Sequence, residues 1–226
     1  MTSYSFLPEN SLFVEIQPIL RAARIWNYDG IIKNNGLAPQ ILFKLRGQTT
    51  VFLRIARGPE LFRGIKFTDQ QHIFTEVTTQ FSDLIQGGIW IERRRTIARF
   101  KDPLISADQL RWGFTGTIKP VNRLVIESEL ESLDLKDLDG NELINGYVFR
   151  TRTEYQISKE MFFRFVVQYN DFSKRMNIEP LLTYKINPFS VFFIGSTHSS
   201  EESVLTGDFI QSERQFFMKF QYLFRI

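Results

Sequence analysis

Two histidines and no cysteine set narrow limits on the chemistry open to this chain. His72 and His198 both fall in or beside segments that read as loops. His198 sits in STHSSEES, with Glu201, Glu202 and Asp208 nearby, so the residue types of a nucleophile, a base and an orienting acid are present. The run is also polar and unbroken by apolar residues, the composition of a solvated loop, and a loop is expected. LKDLDGNE offers Asp137, Asp139, Asn141 and Glu142 as oxygen donors. It lacks the spacing of a calcium loop, so a plain polar turn is expected. No HExxH, Walker loop or GxSxG occurs, and thiolate metal ligation is impossible without cysteine. The sequence therefore indicates no catalytic residues, no cofactor and no metal, and it favours a non-catalytic role over an enzymatic one without excluding the latter.

What remains is ionic chemistry at a spacing of two. VIESELESLD puts Glu127, Glu129 and Glu131 on one side of an extended chain. The same alternation places Arg150, Arg152 and Glu154 together, followed by Arg164, by Glu179 and Lys185, and by Lys219 and Arg225. Arg111 and the run IERRRTIAR, with Glu92, Arg93, Arg94 and Arg95, supply further charge. Strands lie about 4.8 Å apart, so Glu129 is within lateral reach of Arg150 or Arg152. Such ladders either fill and rigidify a narrow polar interior or form a charged constriction that selects solutes. Three consecutive arginines must point both ways, so either Arg94 or the pair Arg93 and Arg95 escapes an apolar face near a rim or bulge.

The elements that must carry these charges are strands. Period-two alternation recurs over residues 12–26, 39–46, 49–57, 72–82, 89–99, 108–119, 123–134, 147–157, 161–170, 175–186, 190–196 and 214–226. Between them, long connections (27–38, 58–71, 100–107, 135–145, 197–211) take turns with tight ones (47–48, 86–88, 120–122, 158–160, 187–189), and 171–174 is of medium length. Outer-membrane barrels alternate in this way, with short periplasmic turns and longer external loops. Many of the strands reach the roughly 9–11 residues that a tilted strand needs to cross a bilayer. The expectation is an all-β, up-and-down antiparallel transmembrane β-barrel or partial barrel of about twelve strands, one region over residues 1–226.

Composition agrees. The chain is 43% hydrophobic and 23% charged, with 23 phenylalanines against 3 tryptophans and 7 tyrosines. A net charge of +3 and scattered arginines give no nucleic-acid signature. No apolar run approaches the roughly 20 residues of a spanning helix, and MTSYSFLPENSLF lacks the basic start and apolar stretch of a secretory signal, which taken alone points to the cytoplasm. A soluble lipocalin-like ligand-binding barrel uses the same alternation with its faces exchanged. Lipid outside is favoured by the dense Phe and Tyr at strand ends, an aromatic girdle, and by bulky residues on both faces at Phe162–Phe163 and Phe216–Phe217.

The last half carries a resemblance. NGYVFRTRTEYQ, FFRFVVQYN, LLTYKINPFSVFFIG, the closing FMKFQYLFRI and the hairpin FTGTIKPVNRLVIESEL resemble the C-terminal barrel of DUF5916, a Bacteroidetes outer-membrane family. The resemblance covers residues 108–226. It implies an outer-membrane location, lipid as a partner, and a barrel that follows a domain similar to family-9 carbohydrate-binding modules. On that basis this chain is expected to be the C-terminal part of a larger protein. Its role would be membrane anchor or solute conduit, with oligosaccharide bound through the other domain; an outer-membrane-associated hydrolase is the alternative. The face formed by Phe220, Tyr222, Phe224 and Ile226 is similar to the terminal signal read by barrel-assembly machinery, with Ile226 where an aromatic is usual.

Overall fold

The computed structural model describes residues 1–187, 189–203 and 206–223. Among them there are strands and no helix: β1 (Thr2–Ser3), β2 (Phe13–Trp26), β3 (Ile32–Leu45), β4 (Thr49–Arg57), β5 (Glu60–Phe62), β6 (Ile65–Phe67), β7 (Gln71–Ser82), β8 (Ile85–Ala98), β9 (Ile105–Val121), β10 (Leu124–Asp137), β11 (Glu142–Gln156), β12 (Met161–Asn170), β13 (Arg175–Asn187), β14 (Ser190–Glu202) and β15 (Phe209–Tyr222). They form one up-and-down antiparallel sheet in chain order, with β5 and β6 a side hairpin against β3. Among the described residues no ladder joins β15 to β1 or β2, so the sheet keeps two edges, the partial form of the expected architecture. Fifteen strands less the three short ones, β1, β5 and β6, leave the twelve that the alternation implies.

The long connections need correcting. β3 begins at Ile32, β9 at Ile105, β14 runs to Glu202 and β15 starts at Phe209, so much of each expected loop is strand. Polar runs such as IKNN and THSSEE hide because side-chain alternation vanishes there, while the backbone ladder needs only partners on either side. His198, for example, stands opposite both Ile178 and Arg214. Residues 138–141 now form a connection no longer than 157–160, and the contrast between the two kinds of connection is weaker than the sequence suggests. Only 58–70 stays long, and it folds on itself as the β5–β6 hairpin. Its turn is Arg63-Gly64, both with positive φ (47° and 80°), the pair of conformations a tight two-residue hairpin requires.

Two compact units can be distinguished: Met1–Phe81, Gly87–Phe114 and Ser132–Asn145 in the first, Ser82–Gln86, Thr115–Glu131 and Gly146–Ile226 in the second. In the second unit the register sorts residues cleanly. Glu154, Arg164 and Leu181 are paired in succession, as are Arg152, Val166 and Glu179, so the charged residues share one face. The other face carries Tyr155, Phe163, Leu182, Ile194 and Met218 in one row and Thr153, Phe165, Pro180, Ser196 and Phe216 in the next. In the first unit Ile89, Ile91, Leu110, Trp112 and Phe114 lie on such an apolar face, exposed. Opposite them are Trp90, Glu92, Arg111 and Gly113.

The apolar face is uncovered. Among the described residues only six hydrophobic side chains are buried, while Phe216 is 65% and Met218 69% exposed, far from the interior a soluble domain of this size builds. One small cluster, Ala98, Ala107 and Leu135 with Ile105, Leu143 and Ile144 against it, belongs to the first unit. Large side chains left in water forgo about 1.5–3 kcal/mol each. Aromatic rings mark both ends of the second unit's face: Tyr147 packs on Tyr169 (5.7 Å) and Tyr169 on Phe209 (6.0 Å), while Tyr155 and Tyr184 lie at the far end. Tyr147 and Tyr155 are about 26 Å apart along the strand, or about 20 Å when tilted by about 40°, close to the aromatic-bounded band of about 25 Å in outer-membrane barrels.

Candidate functional site

The charged face of the first unit is organised around Glu92, buried on β8. His72 Nε2 on β7 lies 2.7 Å from one carboxylate oxygen and Arg111 Nη1 on β9 lies 3.4 Å from the other. An aromatic brace supports this trio: Phe74 stacks on Trp90 at 6.2 Å, and the Arg111 guanidinium lies 5.4 Å over the Trp90 ring. Trp90 has room because Gly113 faces it; a Cβ there would come 2.6 Å from the indole. Arg54 on β4 approaches His72 to 3.4 Å and covers Phe74 at 5.3 Å.

Beside this trio is a hollow of about 320 Å³. Its floor is made of small residues at matching positions on neighbouring strands: Ala23 opposite Gly36, then Ala38 and Ala56. Around it stand Arg21, Gln40, Arg54, His72 and Arg94, with Glu60 of the β5–β6 hairpin on one side. Glu60 is held by Arg99 at 2.6 Å. Arg94 and Arg95 both line the hollow, and Arg95 makes two hydrogen bonds to Asp108 (2.9 and 3.0 Å) with Asp69 at 3.8 Å. Sequence reasoning named Arg94 but missed Arg21, Arg54 and Gln40. The signal available was the run of Ala and Gly at a spacing of two beside them.

In the second unit Arg152 is the hub. It lies 3.5 Å from Glu127 on β10 and 2.9 Å from Glu154 on its own strand. Lateral pairing was expected from Glu129; the register brings Glu127 within reach instead, and Glu129 has no ion pair among the described residues. Glu131 shares the exposed side of β10 with them. Arg150 stands opposite Gln168, Arg164 opposite Glu154, and Glu179 opposite Val166. Lys185 covers the Phe162 ring at 4.5 Å and Lys219 the Phe193 ring at 5.9 Å. A second hollow of about 330 Å³ opens among Arg123, Glu154, Phe162, Arg164 and Lys185. Outside the strands, Lys174 lies 2.6 Å from Asp171, whose carboxylate keeps the ammonium above the usual lysine range.

The residues that resemble catalytic or metal sites are differently employed. His72 lies at the start of β7, as the expected strand 72–82 has it, whereas His198 lies in a strand rather than a loop, a correction that follows from the longer β14. Ser196 Oγ is 2.9 Å from His198 Nε2, but His198 rests edge-on against Phe216 and meets no carboxylate among the described residues. Asp137 accepts hydrogen bonds from the backbone N–H of Asp139 (3.0 Å) and Asn141 (2.8 Å), closing a turn at Gly140 (φ 90°). Of the expected terminal signal, Phe220 and Tyr222 lie on the apolar face, exposed, with Phe220 opposite Phe192; Phe224 and Ile226 lie outside the described residues.

No protein-family model matches the chain, and no curated protein sequence matches it. Among solved structures, one described as KdgM porin in complex with disordered oligogalacturonate aligns over 92% of this chain and 99% of its own, at 9% identity and a TM-score of 0.34. A Pseudomonas aeruginosa FadL homologue aligns over 95% of this chain and 74% of its own, at 13% identity and a TM-score of 0.37. Both TM-scores lie below the level at which two chains share a fold, and the architecture rests on the antiparallel ladder itself.

Proposed function

We propose that this chain is a membrane-spanning β-barrel region of a bacterial outer membrane, acting as membrane anchor or solute conduit. One observation carries the reading: each unit exposes an apolar strand face while only six hydrophobic side chains are buried among the described residues. Contiguous apolar patches on soluble monomers rarely exceed about 300–600 Å², whereas a strand face against lipid must be apolar along its whole crossing. The charged face then lines the polar interior, where Arg152 with its two glutamates and Arg111 with Glu92 span neighbouring strands. A soluble lipocalin-like barrel would need the apolar face packed within, and the exposure of Ile89, Ile194 and Met218 weighs against it. By its resemblance to DUF5916, the region would serve a neighbouring sugar-module-like domain and handle oligosaccharide. The barrel-assembly machinery would read its last strand.

The test is folding in amphiphile. The chain should fold only with detergent or lipid vesicles and then migrate differently on a gel with and without heating. A monodisperse folded protein in plain buffer would overturn the reading. Single-channel current across planar bilayers separates conduit from anchor, since an anchor conducts nothing.

A further inference from the structure

We propose that the hollow on the charged face of the first unit binds a solute carrying an oxyanion, a carboxylate or a phosphate. The inference deepens the conduit reading and rests on it for the assumption that this face is reached by solutes.

The argument begins with charge. Arg21, Arg54 and Arg94 converge on a hollow of about 320 Å³, and none of the three has an ion pair among the described residues. The nearby carboxylates are already engaged: Glu60 by Arg99, Glu92 by His72 and Arg111, Asp108 by Arg95. On the charged face of the second unit Arg152, by contrast, is balanced by Glu127 and Glu154. The hollow therefore carries positive charge that no carboxylate beside it offsets.

Hydrogen bonding points the same way. Gln40 and Arg54 are directly opposed in the β3–β4 ladder, and both line the hollow. Gln40 Nε2 and Arg54 Nε are buried donors with no hydrogen-bond partner within the protein. Buried donors are seldom left without an acceptor, and two on directly opposed residues within an arginine-lined hollow suit an acceptor with several oxygens. The floor of Ala23, Gly36, Ala38 and Ala56 lets such a group approach the sheet, where larger side chains would fill the space. The volume lies at the small end of ligand sites, about 300–1,000 Å³, enough for one monosaccharide-sized acid or a phosphate ester. Rings of Arg and Lys are the usual device by which pores select anions.

The experiment uses the full chain folded in detergent micelles, its fold checked by the heat shift on a gel, with binding followed by calorimetry. The probes are inorganic phosphate, glucuronate and glucose. Phosphate or glucuronate should bind and glucose should not, and the stronger of the two anions identifies the oxyanion. The double variant R54Q/R94Q should weaken that binding at least tenfold, whereas K219Q, on the charged face of the second unit, should leave it unchanged. If R54Q/R94Q loses its heat shift, R21Q takes its place with the same expectation. Equal binding of glucose, absence of anion binding by the folded protein, or unchanged affinity in the arginine variants would overturn the proposal. Vesicle-inserted protein that binds neither anion sinks the site alone. Protein that folds without amphiphile yet still binds the anion sinks the membrane reading alone.

Discussion

Glu92 shows how a single charge organises its surroundings. It is buried on β8 and its two oxygens take His72 and Arg111 from the strands on either side. E92Q should therefore cost about 1–3 kcal/mol, the range for losing a charge-assisted partner at a partly buried site, read as a lower denaturant midpoint for the protein folded in micelles. An unchanged midpoint would mean the trio is decorative. Gly113 is required for a different reason. Because its Cβ position is 2.6 Å from the Trp90 indole, G113A must displace the ring, and overpacking of this kind costs about 1–3 kcal/mol. The displaced Trp90 should also alter the near-UV circular dichroism, while G140A, far from any indole, should not. Neither the His72–Glu92–Arg111 trio nor the facing of Gly113 and Trp90 is readable from spacing alone, since each spans strands whose register only pairing fixes.

At the scale of elements the decisive property is that each long strand has two unlike faces. Ile194 lies between Leu182 and Met218 on the apolar face, and Gln168 lies between Arg150 and Asn177 on the charged one. If the first face meets lipid, I194R should destabilise the vesicle-folded protein by about 2–4 kcal/mol, and Q168R should change it little. In a soluble protein with Ile194 in water, both substitutions would fall within about 0.5 kcal/mol, so the pair of measurements separates the readings. The strands themselves were largely legible in the sequence, because a face buried in one medium and a face in another imprint a period of two. Strand ends were not. Where a strand leaves the apolar zone, as at Ile32–Asn34 or Thr197–Glu202, both faces become polar and the imprint disappears although the ladder continues.

For the whole molecule the prediction concerns access. Protein inserted in vesicles should be cut by trypsin at Arg63 in the β5–β6 turn and at Lys101 between β8 and β9, both outside the long strands. Arg150, Arg152 and Lys219, within long strands, should resist. Cleavage spread evenly over strand and loop would contradict a membrane-spanning arrangement, because paired strands embedded in lipid do not open to a protease.

The sequence by itself determined the all-β class, the twelve long strands and their up-and-down order. Those properties follow from local alternation and from tight turns, which short segments encode completely. Only the tertiary structure decided which charges meet. A shift of two residues preserves every face yet changes every partner, so Glu127 rather than Glu129 reaches Arg152. In the same way, Arg21, Arg54 and Arg94, dispersed along the chain, gather over a floor of alanine and glycine supplied by neighbouring strands.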